Sequence, residues 1–306
     1  MIAAAYLAPE GLEAALAEEL RRAGVGIESW HGRLALSPDP PVPSVWALDV
    51  WTAPREIAVG SVKQAADALR AMQRNWGAYG VSHHRRMALV ADRLPPVKAR
   101  LLRFPEPAPA GHLGAWTLLA PDRLLASPTK SSPFVNGACL FEEDHFGPPS
   151  RAYLKLWEAL TRIGRWPMRG ETCLDLGAAP GGWTWAAAQL GAQVTAIDKA
   201  PLAPRVAAMP GVSFRAESAF GLAPEPVDWL LSDVVAYPDR LLPLVRRWTA
   251  TARNIVCTIK LQGDTDHDAA DAFAAIEGSR VMHLFHNKHE LTFVWTHPMG
   301  CPSLSR

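Results

Sequence analysis

The chain has 306 residues, which at roughly 150 residues per domain predicts two domains. Apolar residues make up 49% and charged residues 20%, the balance of an ordinary globular protein rather than of a disordered polyelectrolyte. Lys and Arg total 31 against 30 Asp and Glu, so the formal net charge of +1 excludes a binder that relies on overall positive charge.

Residues 2–8 are a nearly continuous apolar run and predict a buried strand. Leu12, Ala15, Leu16, Leu20 and Ala23 follow at helical spacing, with Gly24 as the stop. A strand is expected around Ile27–Leu36, then the Pro-rich turn SPDPPVP at 37–43, and strand-like stretches near 45–51 and 56–62. A helical pattern covers 63–76, Met87–Ala91 reads as a strand, and Pro95, Pro96, Pro105, Pro107 and Pro109 break the segment after it into a loop. Trp116–Leu119 and Arg123–Ser127, joined by Ala120-Pro121-Asp122, predict a hairpin. Residues 1–130 therefore read as an α+β region without internal repeats.

Residues 131–149 read as a linker, and a different grammar begins at 150. Residues 150–163 predict a helix with Ser150 as its N-cap. Strand candidates Thr172–Leu176, Gln193–Asp198, Val212–Arg215, Val227–Asp233 and Asn254–Lys260 then alternate with helices near 183–190, 239–250 and 267–277. Arg280–His286 and Leu291–Thr296 read as a closing hairpin. Over 150–300 this alternation predicts an α/β domain with a mostly parallel, doubly wound sheet and an antiparallel strand at its end.

No apolar stretch approaches the ~18–20 residues of a membrane span. The start lacks a basic n-region and turns acidic at Glu10, Glu13, Glu18 and Glu19, which argues against a signal peptide. Cys139, Cys173, Cys257 and Cys301 form no CxxC pair, so neither a disulfide framework nor a Cys-rich zinc site is expected, and the reducing cytoplasm is the expected compartment.

The most informative segment is CLDLGAAPGGWT at 173–184, an apolar strand running into a glycine-rich turn that opens onto a helix. Ligands of α/β sheets bind at the carboxyl ends of such strands. Gly177, Gly181 and Gly182 remove side chains where backbone must approach a ligand or adopt positive φ. The G-x-x-x-G-G spacing differs from the G-x-G-x-x-G of dinucleotide sites, and no GK[ST] follows for a phosphate loop. That spacing weighs against NAD, the main rival ligand. Asp198 ends the next strand, where an acid can hold both hydroxyls of a ribose. Farther on, Asp233 and Lys260 end two more predicted strands and would reach the same crevice. A lysine closing the apolar run Ile255–Ile259 is conspicuous, because an unpaired ammonium is expensive to desolvate. Taken singly, each has a bland reading. Lys155 and Glu290 could be solvated charges, Asp233 a helix cap, and Lys260 a side chain reaching water.

These residues carry a resemblance. SSPFVNG (131–137), PSRAYLKL (149–156), DLGAAPGGWT, AID (196–198), VDWLLSD (227–233) and TIKL (258–261), in that order, resemble the FtsJ-type RNA ribose 2′-O-methyltransferases. Within that family the likeness is to the RlmM type, which modifies a cytidine of large-subunit (23S) ribosomal RNA and carries an amino-terminal THUMP-containing region. The resemblance implies a class I, Rossmann-like methyltransferase domain that uses S-adenosylmethionine and no metal, preceded by a THUMP-like RNA-binding region. It implies a catalytic Lys155, Asp233, Lys260 and Glu290. It places the cofactor against Ala152, Gly177, Ala179, Pro180, Gly181, Gly182, Trp183, Asp198, Ser218 and Asp233, with Ser218 aligned to an acid near the adenine. Trp183 also reads as helix packing.

The chemistry needs a base for the ribose 2′-hydroxyl and a frame that aligns it with the methyl group. An ordinary lysine has a pKa near 10.4, so at pH 7.4 about one in a thousand is neutral, a handicap of roughly 4 kcal/mol. Lys260 is the expected base, with the Lys155 ammonium and desolvation pushing its pKa down, and Asp233 and Glu290 orienting the amines. The expected partner is RNA, from 23S rRNA or a large-subunit precursor. Transfer RNA or messenger RNA as substrate, or a catalytically silent RNA-binding or ribosome-assembly factor, are the alternatives. Arg85, Arg86, Arg93, Lys98, Arg100 and Arg103, with His83 and His84, form a candidate phosphate-binding patch, whereas Glu142-Glu143-Asp144 is an acidic run that would repel RNA. His283, His286 and His289 invite a metal reading, which their spacing does not support.

Overall fold

The computed structural model describes residues 1–97, 101–261, 263 and 265–297. The chain divides into two compact units, Met1–Leu102 with Ala108–Leu140, and Arg103–Pro107 with Phe141 onward.

The first unit holds β1 (Ala4–Leu7), α1 (Glu13–Arg22), β2 (Ser29–His31), β3 (Leu34–Ser37), β4 (Asp49–Trp51), β5 (Arg55–Ala58), α2 (Val62–Met72), β6 (Trp76–Ala78), α3 (His84–Ala91), β7 (Gly114–Ala120) and β8 (Arg123–Ser127). They make two four-stranded sheets, ordered β2-β3-β1-β4 and β5-β8-β7-β6. The apolar run at 4–7 is the fully buried β1, inside the first sheet. The expected strand over 27–36 is a hairpin instead, because Gly32 takes φ +59 and turns the chain between β2 and β3. The expected strand at Met87–Ala91 is the helix α3. Met87 and Val90, three apart, both enter a core with Leu69, Trp76 and Trp116, and a five-residue apolar run does not reveal its period. Asp49 and Lys130 form a fully buried ion pair (2.7 Å), and the Lys130 ammonium also donates to the Ser132 (2.5 Å) and Phe134 (2.6 Å) carbonyls.

The second unit holds α4 (Tyr153–Ile163), β9 (Thr172–Leu176), α5 (Gly182–Gln189), β10 (Gln193–Asp198), α6 (Pro204–Ala207), β11 (Val212–Ala216), β12 (Val227–Ser232), α7 (Pro238–Trp248), β13 (Ala252–Lys260), α8 (His267–Ala274), β14 (Ser279–Met282) and β15 (Glu290–Thr296). One sheet runs β11-β10-β9-β12-β13-β15-β14, and β15 alone is antiparallel to its neighbours. This is the doubly wound α/β sheet that the sequence predicts, except that the antiparallel strand β15 is inserted between β13 and the edge strand β14 rather than closing the sheet. Successive strands run outward from β9 through β10 to β11, then return to β9's other side as β12. The reversal opens a crevice at the carboxyl ends of β9 and β12, where such sheets bind ligands. Ser150 does not cap α4. The N-cap is Ala152, which makes no side-chain cap bond.

Candidate active site

At the carboxyl end of β9 the backbone turns through Gly177 at φ +76, and a Cβ there would stand 2.7 Å from the Val234 Cα. The turn thus lies directly against the segment that follows β12, and only glycine allows that approach. Gly181, at φ +113, leads into α5 under Val206, whose Cγ1 would be 2.9 Å from an added Cβ. Asp198 ends β10 and braces this loop: Oδ2 accepts from the Ala179 N–H at 3.0 Å and Oδ1 from the Ala200 N–H at 2.9 Å. Each carboxylate oxygen keeps a second acceptor site for a hydroxyl.

Two residues border the loop that sequence reasoning did not select. Ser150 stands with Oγ 3.0 Å from where a Gly182 Cβ would be, with the Ala152 Cβ at 3.7 Å. Asp175 on β9 is fully enclosed. Its Oδ2 accepts from Thr184 Oγ1 at 2.6 Å, and its Oδ1 is buried without a hydrogen-bond partner. Burial pushes its pKa up to about 7, against the lowering effect of the Thr184 hydroxyl. Asp175 lies inside the quoted glycine motif, so the signal was present.

Other expected cofactor contacts are placed less directly. Trp183 is 3% exposed and its indole donates to the Ala152 carbonyl at 2.9 Å, so its ring packs α5 against the start of α4. Ser218 is exposed just past β11, and Glu217 beside it is engaged by Arg215 at 2.9 Å.

Lys155, Asp233, Lys260 and Glu290 converge. Lys155 Nζ donates to both Asp233 oxygens at 2.8 Å and lies 3.1 Å from Glu290 Oε1. Lys260 Nζ donates to Asp233 Oδ1 at 2.6 Å and to Glu290 Oε2 at 2.9 Å. The result is a ring of alternating charge whose side chains are only 10–18% exposed. Three members owe their places to the sheet. Asp233 follows β12 directly, and Lys260 and Glu290 are cross-strand partners in the β13–β15 ladder. Lys155 comes from α4.

The ring corrects the expected protonation of Lys260. Its pKa is raised: burial alone lowers it, but Asp233 and Glu290 together outweigh burial. The carboxylates stand between the two ammonium groups, so attraction at close range exceeds repulsion by Lys155. Asp233, likewise buried, is held below the ordinary carboxylate range by Lys155 and Lys260.

The histidines on and near the terminal hairpin go to separate partners. His286 Nδ1 lies 2.9 Å from Glu158, His283 Nε2 lies 2.8 Å from the Lys288 carbonyl, and His289 Nε2 lies 2.9 Å from Thr265 Oγ1. Among the described residues, no three His, Cys, Asp or Glu side chains are grouped to hold a metal. No described helix is long and apolar enough to cross a membrane. In the basic segment, Lys98 and Arg100 lie outside the described residues. Arg85 and Arg93 are exposed on the first unit, whereas Arg103 belongs to the second and pairs with Glu142 at 2.7 Å. The acidic run is engaged locally: Glu143 pairs with Arg151 at 2.6 Å, and Asp144, still charged, has Oδ1 accepting the Phe146 and Gly147 N–H groups at 2.8 Å. It presents less free negative charge than the sequence suggests.

Comparison with known proteins finds likenesses over this unit. Residues 148–295 match the FtsJ-like methyltransferase family model. A ribosomal RNA large subunit methyltransferase M from Halorhodospira halophila is 42% identical over 156 residues, covering 47% of this chain and 46% of that protein. The protein of the same name from Aromatoleum aromaticum is 35% identical over 162 residues, covering 47% and 44%. The chain thus covers about half the length of the curated relatives it matches. Among solved structures, the Methanococcus jannaschii fibrillarin pre-rRNA processing protein aligns at a TM-score of 0.33 with 19% identity, covering 42% of this chain and 67% of that one.

Proposed function

From a chain whose residues 148–295 are an FtsJ-like methyltransferase domain, we propose a more specific activity: methyl transfer to a ribose 2′-oxygen of RNA, most specifically a cytidine of large-subunit ribosomal RNA. The observation that carries this reading is the ring of Lys155, Asp233, Lys260 and Glu290 beside the glycine loop. A sugar hydroxyl is a weak acid and a weak nucleophile, and a cluster of amines and carboxylates can align it and accept its proton. The name carried by the relatives, ribosomal RNA large subunit methyltransferase M, supports the choice of RNA.

FtsJ-like methyltransferases draw on S-adenosylmethionine, which supplies an electrophilic methyl group on a sulfonium. The residues present suit such a molecule. The Gly177–Gly182 turn leaves room for close backbone approach, Asp198 keeps acceptor sites for ribose hydroxyls, and Asp175 has an unpartnered oxygen enclosed beside the loop. The Ala152 Cβ lies 3.7 Å from where a Gly182 Cβ would be, Ala179 and Pro180 belong to the turn itself, Trp183 to the helix start after it, and Ser218 follows β11.

In this reading Lys260 Nζ takes the 2′-hydroxyl proton as the oxygen–methyl bond forms and the sulfur–methyl bond breaks. Asp233 and Glu290 hold the ammonium that results, so no uncompensated charge is left in the buried ring. Lys155 keeps both carboxylates in register. The same ion pairs disfavour neutral Lys260 before reaction, so transfer accelerates as pH rises. Val235 and Tyr237, 78% and 56% exposed just after Asp233, offer apolar surface to a nucleotide. We assign RNA capture to residues 1–130 as a THUMP-like region; of the expected linker 131–149, residues through Leu140 pack with that first unit and those from Phe141 on with the second. Exposed His83, His84, Arg85 and Arg93 supply phosphate contacts in the first unit.

Incubation with methyl-labelled S-adenosylmethionine and total RNA, followed by mapping of ribose methylation, tests the proposal. Label on a 2′-oxygen of large-subunit RNA is expected. Label on bases alone, or none on RNA, would overturn it.

A further inference from the structure

A second buried charge cluster lies one helical turn along α4 from Lys155. Glu158 is 0% exposed, and both its oxygens are occupied. Oε1 accepts from Arg162 Nε at 2.8 Å and from the Phe285 N–H at 3.0 Å. Oε2 accepts from the His286 N–H at 3.0 Å and has His286 Nδ1 at 2.9 Å. Phe285 and His286 belong to the connection between β14 and β15, and Asn287 ties its end by donating Nδ2 to the Glu290 carbonyl at 3.1 Å.

The ring members differ in how they are held. Asp233, Lys260 and Glu290 stand on or beside strands, where the hydrogen-bond ladder fixes the backbone. Lys155 stands on a helix, which no strand ladder ties to the sheet; at its start the Trp183 indole holds the Ala152 carbonyl, and one turn on Glu158 holds the β14–β15 connection. Residues three apart on a helix share a face. Lys155 and Glu158 therefore face the sheet end together, one reaching the ring and the other the β14–β15 connection. We propose that Glu158 is a positioning residue. By gripping the Phe285 and His286 backbone it fixes the height of α4 over the sheet and so holds the Lys155 ammonium on Asp233 and Glu290. A buried carboxylate is a poor choice for stability alone, because well-packed apolar replacements of buried ion pairs are often neutral or stabilising. The direction and reach of its four bonds are what an apolar side chain could not supply.

The kinetic consequence rests on the ribose-methylation reading, and the structural one does not. Glu158→Gln keeps the size but puts an amide NH2 where donors converge. Lysine-selective 15N NMR of the full chain follows the titration of Lys260 without RNA. With Lys155 displaced, both carboxylates act on Lys260 alone, so its midpoint should rise by about half a unit or more. With saturating RNA and S-adenosylmethionine, kcat should fall about tenfold or more while KM for RNA stays within about twofold, since a displacement of about 1 Å can cost up to about a hundredfold. A folded E158Q with wild-type midpoint and kcat overturns the proposal. So does a variant whose only change is a lower melting temperature. If E158Q does not fold, E158D carries the same test, because it draws the carboxylate back by one methylene and keeps its charge. A shifted midpoint in a protein whose wild type transfers nothing to RNA upholds the positioning role and overturns the ribose reading instead.

Discussion

Glu290→Gln probes the charge balance of the ring most directly. Lys260 donates 2.6 Å to Asp233 and 2.9 Å to Glu290, and both acceptors are largely buried. A hydrogen bond to a charged group is worth roughly 1.5–3 kcal/mol, and about 1.36 kcal/mol moves a pKa by one unit. Removing the Glu290 charge should therefore lower the Lys260 pKa by about one to two units, with burial pulling in the same direction. The assay is single-turnover methyl transfer to RNA between about pH 6.5 and 10. Wild-type rates should climb close to tenfold per pH unit and not level off below about pH 10, the ordinary lysine range or above. Glu290→Gln should level off about one to two units earlier, whatever its plateau height. A wild-type profile flat between about pH 7 and 9 would refute the reasoning, as would a Glu290→Gln profile bending where wild type does. Lys260→Met should abolish the slope, and an unchanged slope would remove Lys260 as the base.

Asp198→Ala should weaken S-adenosylmethionine binding about tenfold or more by titration calorimetry, since two backbone N–H groups lose their acceptor along with the bound hydroxyls; unchanged affinity would place the ribose elsewhere. Gly177→Ala should lower cofactor affinity and melting temperature together, because its Cβ would meet backbone at 2.7 Å, and a variant unaffected in both would contradict the close approach. Asp175, raised to about 7 from 3.8, is protonated more readily in the folded than in the unfolded chain, so its ionisation destabilises the fold as pH rises from about 4 to 7. Asp175→Asn should then raise the melting temperature at pH 8 more than at pH 5, and equal shifts at both would count against it. Lys130→Met leaves Asp49 buried without its cation and should cost about 3–5 kcal/mol in urea unfolding; a loss below about 1 kcal/mol would mean that Asp49 finds another partner.

Much of the second unit was legible in the amino-acid order. The strands Thr172–Leu176 and Gln193–Asp198 have the bounds that the sequence predicts, with Cys173, Leu174 and Leu176 of the first and Val194, Ala196 and Ile197 of the second supplying the buried apolar positions. The reading was weaker where a short apolar run fits two periods. Met87–Ala91 is helical because Met87 and Val90 find a core supplied by α2, β6 and β7. Ser150 suits an N-cap, yet the helix begins beyond it and the hydroxyl lies by the glycine loop.

Residue types and their order determined that a glycine-walled turn would sit at a strand end and that Lys155, Asp233, Lys260 and Glu290 were worth placing together. Periodicity and turn chemistry are local, and a linear string expresses them. Tertiary structure alone decided the sign of the shift at Lys260, because that depends on which charges come within 3 Å after folding. It also decided that Glu142 and Glu143 are paired with arginines and Asp144 is held by backbone N–H groups, and that Glu158 grips a connection more than 120 residues away in sequence. Through-space electrostatics has no period, so it becomes readable only once the chain has closed on itself.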